Sequence, residues 1–344
     1  MAGLGELRFA MGSSIFIVSF LFAAFLAAIM FIVQVSLIWS VILTVLFILF
    51  QYLIGPSIVR ASTRLQYLKS GENPWLESTV KELADKSGLP MPQLAVVPDE
   101  TPNAFVFGRT AHSATLAVHD GLLRKLNEDE VKGVIGHEIG HIKHRDYVVM
   151  TVLSALPLLA YIIARGTWQV AIMSGRSRQR NESQMRAGLA LIGVISYAVY
   201  IISLFLVMRL SRLREHYADA YSAYVTGKPQ SLESALTKIT YGLSLSPKPP
   251  SGARAFYIED PAMAKQEMHR IIEKKDEYDL DKDGVLDEKE LEAAMEKEAK
   301  STWSSINTWF STHPPTFKRI LLLHEIEVEM ESGSYTADRI YTHI

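Results

Sequence analysis

The longest feature of the chain is a run of 51 residues without Asp, Glu, Lys or Arg, from Phe9 to Val59. A spanning helix needs only about 20 apolar residues, and this run as one helix would be about 75 Å long, more than twice the hydrocarbon thickness of a bilayer. The run therefore predicts two membrane spans, Ser14–Val33 and Leu37–Leu53, with a turn at Gln34–Ser36. A signal peptide is the alternative for the first span, but the apolar region is too long for one.

Two further apolar segments interrupt the polar part of the chain. Tyr147–Ala164 has 18 uncharged residues, and Ala187–Met208 has 22, including Gly188 and Gly193. Small residues of this kind let helices pack closely in lipid. A buried helical hairpin of a soluble domain is the alternative for this pair. Four such segments in one chain favour a mainly α integral membrane protein with about four transmembrane helices.

Basic residues near the ends of these segments predict the orientation. The side that holds both termini and the large polar parts has nine of them: Arg8, Arg60, Arg64, Lys69, Lys143, Arg145, Arg209, Arg212 and Arg214. The loop between the third and fourth segments has five: Arg165, Arg176, Arg178, Arg180 and Arg186. Because cytoplasmic loops carry the excess of Lys and Arg, the polar parts are predicted to face the cytoplasm from the plasma membrane. The five basic residues of the opposite loop do not follow this rule.

The chain is therefore divided into membrane hairpins, 1–55 and 147–210, and polar parts, 56–146 and 211–344. The first polar part predicts a helix over Ser78–Ser87 and another that begins at Asn127, where Glu130 completes a capping pattern. This second helix is expected to continue through Asp146 into the third apolar segment. Alternating or apolar runs predict three short strands: Gln93–Val97, Ala104–Phe107 and Ser113–Val118. The second polar part has a helical pattern.

The sequence His137-Glu138-Ile139-Gly140-His141 lies on the helix that begins at Asn127. Histidines four apart share one helix face and can hold one metal ion, and Glu138 can then act on a water as general base. A surface helix with two unremarkable histidines is the alternative. The chain has no Cys, which excludes thiolate zinc sites and cysteine nucleophiles, so any metal site must use His, Asp, Glu or backbone oxygen.

A third ligand must come from elsewhere in the chain. A histidine six residues after His141 would complete one common zinc pattern, but that position is Tyr147. A carboxylate on a second helix is the other common solution, and Glu215 and Asp219 follow the fourth apolar segment. Since they are four apart, one can bind metal while the other holds a ligating imidazole from behind. A solvated helix face is the alternative for this pair.

Taken together, these residues resemble the HtpX-type membrane zinc metallopeptidases, relatives of the CAAX prenyl endopeptidases. The resemblance rests on the paired N-terminal spans and on Asn103-Ala104-Phe105, Val118–Leu123, His137–His141, Glu215–Asp219 and Ser311–Pro315.

This resemblance implies a gluzincin-like metalloprotease domain with a small β-sheet. It implies one zinc ion on His137, His141 and Glu215, with Glu138 as base. It further implies that Asp219 lies behind His137, that His313 stabilises the oxyanion, and that Arg319 lies near the site. The strand with Asn103, Ala104 and Phe105 would pair with an extended substrate.

An acidic segment is not part of this resemblance. Residues 279–290 match every fixed position of an EF-hand loop, with Gly284 at the turn. The oxygen ligands would be Asp279, Asp281, Asp283, Val285, Asp287 and Glu290. Helical patterns flank the loop at Ala262–Glu277 and Glu288–Lys300, so the region of about 260–300 predicts an EF-hand-like insert that binds calcium. A solvated acidic helix–turn–helix is the alternative, because EF-hands usually occur in pairs.

The leading hypothesis is a membrane-embedded zinc endopeptidase that cuts protein or peptide substrates, mainly membrane proteins, in quality control. One alternative is a narrower protease that processes C-terminal peptides, as the CAAX enzymes do. Another is a calcium-binding membrane scaffold with a vestigial zinc site. No nucleic-acid partner is expected, because the Arg residues of 176–180 lie between two spans. The sequence names no substrate and sets no oligomeric state.

Overall fold

The computed structural model describes residues 2–33, 37–173, 180–244, 258–259, 261–282, 286–299, 311–336 and 339–344. Contacts between residues divide the chain into two compact units. The first, here the polar unit, contains Met1–Leu7, Pro56–Val148 and Ser211–Ile344. The second, here the apolar unit, contains Arg8–Gly55 and Val149–Leu210.

Helices dominate the described chain. They are α1 Ala2–Val33, α2 Leu37–Thr63, α3 Pro74–Ser87, α4 Asp120–Lys125, α5 Glu128–His144, α6 Asp146–Met173, α7 Arg180–Thr226, α8 Pro229–Ser244, α9 Pro261–Glu273, α10 Lys275–Tyr278, α11 Glu288–Ala299 and α12 Thr316–Glu331. The strands are β1 Gln66–Tyr67, β2 Gln93–Val97, β3 Ala104–Phe107 and β4 Thr115–His119.

Within the described residues, three helices contain stretches long and apolar enough to cross a membrane: Gly5–Ala27, Val45–Thr63 and Ala187–Thr226. The predicted first, second and fourth segments are thus confirmed as helical and apolar, although the first two stretches begin elsewhere than expected. The predicted third segment forms α6, which continues across Pro157 but is not among the three. A count of four spans therefore stays a prediction, and the predicted turn at Gln34–Ser36 lies outside the described residues.

Large apolar side chains are exposed on the helices of the apolar unit. Phe9 is 78% exposed, Phe16 71% and Ile38 69%. A water-soluble protein rarely exposes so much contiguous apolar surface, because each such side chain would lose about 1.5–3 kcal/mol of burial free energy. These helices therefore need an apolar environment, as the uncharged run Phe9–Val59 predicts for α1 and α2.

The polar unit contains a four-stranded sheet in the order β1-β2-β4-β3. Strands β2 and β4 are parallel, with Gln93 opposite Thr115, whereas β3 is antiparallel to β4 and lies at an edge. The predicted strands are confirmed, but β4 begins two residues later than expected because Ala111–Ser113 forms a 3-10 turn. Strand β1 was not predicted from the sequence, because two residues are too few to show an alternation of apolar and polar positions.

Helix α5 begins as predicted, with a reciprocal cap. The Asn127 side chain accepts the Glu130 backbone N–H at 2.9 Å, and the Glu130 carboxylate accepts that of Asn127 at 2.8 Å. The prediction of one helix through Asp146 is wrong. Helix α5 ends at His144, Arg145 is left-handed with φ 60°, and α6 starts afresh at Asp146. This break lets the Asp146 side chain turn back toward α5.

Two glycines let α7 approach α5 closely. A Cβ atom on Gly140 would lie 3.1 Å from the Ala218 Cα, and one on Gly136 would lie 2.8 Å from the Ser222 Oγ. The Ser222 hydroxyl also donates to the backbone carbonyl of Gly133 at 2.6 Å. Because Gly136 and Gly140 are four apart, they form one face of α5, and the C-terminal part of α7 packs on it.

The segment Val118–Leu123 contains another required glycine. The Gly121 N–H donates to the Asp99 carbonyl at 2.9 Å, and a Cβ on Gly121 would lie 2.0 Å from the Glu100 carbonyl oxygen. We expect Gly121→Ala to lower the free energy of unfolding by about 3 kcal/mol, at the upper end of overpacking costs, because backbone must move.

Thermal unfolding of the detergent-solubilised protein measures this effect. Arg124→Ala is the control, since it removes an exposed ion pair with Glu100 from the same short helix and should cost less than about 1 kcal/mol. Equal melting temperatures for Gly121→Ala and the unmodified protein would contradict the close approach.

Candidate active site

Three metal-binding side chains converge from two helices of the polar unit. Helix α5 carries His137 and His141, and α7 carries Glu215. The two Nε2 atoms are 3.1 Å apart, the His137 Nε2 is 3.3 Å from the Glu215 Oε2, and the His141 Nε2 is 3.6 Å from the Glu215 Oε1. Residues 78 positions apart in sequence thus form one cluster that can hold a metal ion.

A carboxylate holds the outer nitrogen of each histidine. The His137 Nδ1 is 2.8 Å from the Asp219 Oδ1, and the His141 Nδ1 is 2.7 Å from the Asp146 Oδ2. Because an ionised carboxylate only accepts hydrogen bonds, each Nδ1 carries a proton, and each Nε2 is the nitrogen left to bind a metal. Both imidazoles are therefore set in the tautomer and orientation that a metal requires.

Asp146 is a site residue that was not predicted from the sequence. This residue is fully buried, and its Oδ1 lies 2.9 Å from the Nε of Arg214, the residue before Glu215. Asp146 lies five positions after His141. On a regular helix, residues five apart point in different directions, so the Asp146 side chain can contact His141 only because Arg145 is left-handed and ends the helix between them. Two features of the sequence could have indicated this role. One is a carboxylate just beyond the end of the helix that carries the histidines, and the other is Arg214, an arginine directly before the third ligand.

Arg319 is fully buried and contacts the site both through Asp219 and directly, with its Nη2 3.4 Å from the His137 Nδ1 and 3.9 Å from the Glu215 Oε2. Its Nε and Nη2 donate to the two oxygens of Asp219 at 2.8 and 2.7 Å, a bidentate pair. Asp219 raises the pKa of Arg319 against the effect of burial, so the guanidinium stays charged. One oxygen of Asp219 thus serves both Arg319 and the ligand His137. The weak sequence prediction that Arg319 lies near the site becomes a defined contact.

The Nη1 of Arg319 makes contacts that lead toward the sheet. Its Nη1 donates to the Ile258 carbonyl at 2.6 Å and lies 3.5 Å from the Glu259 Oε2. The Ile258 N–H donates in turn to the Asn103 side chain at 2.9 Å, next to the edge strand β3. Continuous contacts therefore link Asn103, beside β3, to His137 through Ile258, Arg319 and Asp219. Neither Ile258 nor Glu259 was singled out from the sequence.

The acid–base groups of the site are buried. Burial raises the pKa of Glu138, although the charges of the nearby His141 and His137 act to lower it. Burial lowers the pKa of His137, but hydrogen bonds to Asp219 and Glu215 outweigh it and raise the pKa to about 9. Metal binding at His137 must therefore displace a proton, so the affinity of the site for metal falls as the pH falls.

His313 comes to the same region from the segment before α12. It is 4% exposed, its Nδ1 is 3.0 Å from the Thr312 hydroxyl, and it interacts electrostatically with Glu215. Its backbone N–H donates to the Ser311 hydroxyl at 3.2 Å. These contacts orient the ring from its Nδ1 side.

The residues of the predicted substrate strand lie at the sheet edge. Ala104 and Phe105 pair with Val118 and Ala117 of β4, which leaves the opposite edge of β3 without a described strand. Asn103 is buried and its side chain accepts the Ile258 N–H, so it holds the neighbouring backbone. Pairing of a substrate with this edge stays a prediction.

The acidic loop is described only in part. Oxygens of Asp279, Asp281 and Glu290 can come within 4.8 Å of one another, but Asp283 and Val285 lie outside the described residues. The Glu290 carboxylate accepts backbone N–H groups of Leu280 at 2.6 Å and Asp287 at 3.1 Å. A bidentate bond to calcium would replace these hydrogen bonds. Calcium binding by this loop stays a prediction.

Known proteins resemble most of this chain. The model of the family described as peptidase family M48 matches residues 70–327, which include the histidines, Glu215 and His313. A protein named Protease HtpX homolog from Aeropyrum pernix is 32% identical over 285 residues, 83% of this chain and 85% of that protein. Another of that name from Methanothermobacter thermautotrophicus is 39% identical over 197 residues, 57% of this chain and 71% of its own.

A solved structure shares the fold. The crystal structure of S. mikatae Ste24p aligns with a TM-score of 0.51 and covers 94% of this chain and 67% of that one, at 17% sequence identity. The family match covers the helices that carry the site and the apolar stretch Ala187–Thr226, which is long enough to span a membrane, and the Aeropyrum pernix relative is aligned with 83% of the chain. This chain therefore belongs to peptidase family M48 and is a membrane metallopeptidase.

Proposed function

We propose that the protein is a zinc-dependent endopeptidase that cuts membrane proteins at the cytoplasmic surface of the plasma membrane, in quality control. The distances among the three ligand side chains carry the proposal: 3.1 Å between the two Nε2 atoms, 3.3 Å from the His137 Nε2 to the Glu215 Oε2, and 3.6 Å from the His141 Nε2 to the Glu215 Oε1. Ligand atoms about 2.0–2.2 Å from a tetrahedral zinc ion lie roughly 3.3–3.5 Å from each other. Two neutral imidazoles and one carboxylate are also a donor set that zinc prefers.

Zinc bound here supplies a Lewis acid that polarises a peptide carbonyl and acidifies water. Glu138 takes the proton of the attacking water and donates it to the leaving amine. Burial raises the pKa of Glu138, which makes its carboxylate a stronger base toward the attacking water. His313, held by Thr312, donates to the oxygen that becomes negative as the carbonyl is attacked.

The choice of membrane substrates rests on chain continuity. Helix α7 runs without a break from the apolar stretch that starts at Ala187 to Glu215, seven residues after Met208. The ligands are thus a few helical turns from residues that need lipid. A loop or end of a membrane protein can add to the exposed edge of β3 as an extended strand. Quality control as the task rests on the similarity to HtpX proteases.

The base is tested by Glu138→Gln. We expect this variant to keep one zinc ion per chain and to lose at least about 100-fold in casein cleavage, because an amide cannot accept the proton. Metal analysis and a protease assay on detergent-purified protein measure both quantities. Full activity in the variant would contradict the mechanism, and calcium without zinc in the unmodified protein would favour the scaffold alternative.

The second carboxylate is tested by Asp146→Asn. An amide cannot fix the His141 tautomer as a carboxylate does, so we expect zinc affinity to fall about 10–100-fold. Competition with a fluorescent chelator measures the dissociation constant directly. Asp129→Asn is the matched control, since Asp129 is an exposed residue of α5, the helix of His141, and among the described contacts it pairs only with Lys228. Unchanged affinity in Asp146→Asn would exclude this role.

The orientation is tested by single cysteines, which label cleanly because the chain has none of its own. Cysteine at exposed Ser70 should react with an impermeant maleimide only after cells are opened, and cysteine at Ser177 should react in intact cells. The reverse pattern would place the site outside the cytoplasm.

A further inference from the structure

Helix α12 begins directly after the segment that carries His313. Its first residue, Thr316, is separated from His313 only by Pro314 and Pro315. A proline ring fixes its own φ near −65° and also restricts the residue before it, so two successive prolines form a stiff link. Pro315 has φ −54° and ψ 138°, close to the polyproline II conformation. The backbone position of His313 is therefore tied to the first turn of α12.

The first turn of α12 is capped from a distant helix. A helix leaves its first N–H groups without a partner inside the helix, and a side-chain acceptor on the preceding residue usually accepts one of them. Proline has no such acceptor, so Pro315 cannot cap α12. The Thr316 N–H donates instead to the Oε1 of Glu267 on α9 at 3.2 Å, across 49 positions in the sequence. Glu267 thus takes the place of a local cap.

This capping contact is buried and lies next to the site. Glu267 and Thr316 are both fully buried, and the Thr316 hydroxyl is 3.0 Å from the Thr240 hydroxyl of α8. Arg319, which supports the metal site, lies three positions after Thr316 and so on the same face of α12. One turn of α12 therefore connects Glu267 with two functional side chains, His313 before the helix and Arg319 within it.

A second buried carboxyl group, that of Glu259, affects the charge of Glu267. Burial and the charge of Glu259 hold the pKa of Glu267 well above its usual range, although hydrogen bonds from Thr316 act to lower it. Glu259 is fully buried and lies 3.5 Å from the Arg319 guanidinium, which stabilises its negative charge. The proton is therefore retained on Glu267. A protonated carboxyl group still accepts a hydrogen bond through its carbonyl oxygen, as the amide of Gln does.

We propose that Glu267 is a positioning residue of the peptidase reaction, whose side chain holds the first turn of α12 and thereby sets the position of His313 at the metal site. The inference rests on the proposed role of His313 as a donor to the oxyanion. Glu267 acts through Thr316 and the two prolines, because it is fully buried. Its loss should slow the chemical step and leave the binding of zinc and of substrate unchanged.

Kinetics of casein cleavage by the full chain in detergent test this role. Glu267→Ala should lower kcat roughly tenfold, with KM and zinc content unchanged, because a displaced His313 stabilises the oxyanion less well. In a His313→Ala background the same substitution should lower kcat less than about twofold, because no ring is left to position. Glu267→Gln should keep kcat within about twofold of the unmodified protein, since its amide oxygen accepts the Thr316 N–H.

Glu298→Ala is the matched control. Glu298 is a buried carboxylate of α11 that pairs with Arg270 of α9 at 2.9 Å and accepts the Tyr278 hydroxyl at 2.8 Å. This variant should lower the melting temperature and leave kcat unchanged. Hydrogen exchange over residues 311–320 adds a readout besides activity: exchange in the first turn of α12 should be about tenfold faster in Glu267→Ala and unchanged in Glu298→Ala.

Three results would overturn the proposal: unchanged kcat in Glu267→Ala, an equal loss of kcat in Glu267→Gln, or a full further loss in the His313→Ala background, which would show that Glu267 does not act through His313. The peptidase proposal fails by a different result, full activity in Glu138→Gln. Hydrogen exchange does not depend on catalysis, so failure of the cap and failure of the peptidase proposal are distinguishable.

Discussion

The buried ion pair between Arg319 and Asp219 is the interaction on which the site depends. Both groups are fully buried, and the loss of one would leave an uncompensated charge in the core, which typically costs about 3–5 kcal/mol. The same Asp219 oxygen that accepts from Arg319 also holds the Nδ1 of His137. The direction of a metal ligand is therefore set by a residue 100 positions beyond Asp219, and the folding of the last part of the polar unit is a condition for the metal geometry.

Two backbone features of α5 complete that geometry. Gly136 and Gly140 allow the helix of Glu215 to approach the helix of the histidines, so that three ligand atoms meet at the distances a small cation needs. The left-handed Arg145 then ends α5 at the point where Asp146 can reach back to His141. Each histidine is thus held from behind by a carboxylate, and each carboxylate is neutralised by an arginine: Asp219 by Arg319, Asp146 by Arg214. The two arginines thus offset the free-energy cost of burying two carboxylates next to the metal site.

Much of this could be predicted from the sequence where the signal is local. The strands at Gln93–Val97 and Ala104–Phe107, the cap at Asn127 and the apolar helices all follow from patterns within a few residues, and all are present. The end of α5 could not be predicted, because Arg145 has no intrinsic preference for a left-handed conformation, and the surrounding contacts impose it. Strand β1 was missed because two residues have no period.

The sequence by itself determined which residue types can do the chemistry, since the spacing of His137, Glu138 and His141 on a helix and the absence of Cys leave few alternatives. It also determined that a large part of the chain needs lipid, because 51 uncharged residues cannot be hidden from water otherwise. Only the tertiary structure decided how these residues are held. Asp146 behind His141, Arg319 on Asp219 and Ile258 on Asn103 are contacts between groups whose proximity arises from a left-handed turn or from packing of distant segments. No local pattern encodes such distances, because they depend on how whole helices pack against the sheet and against each other.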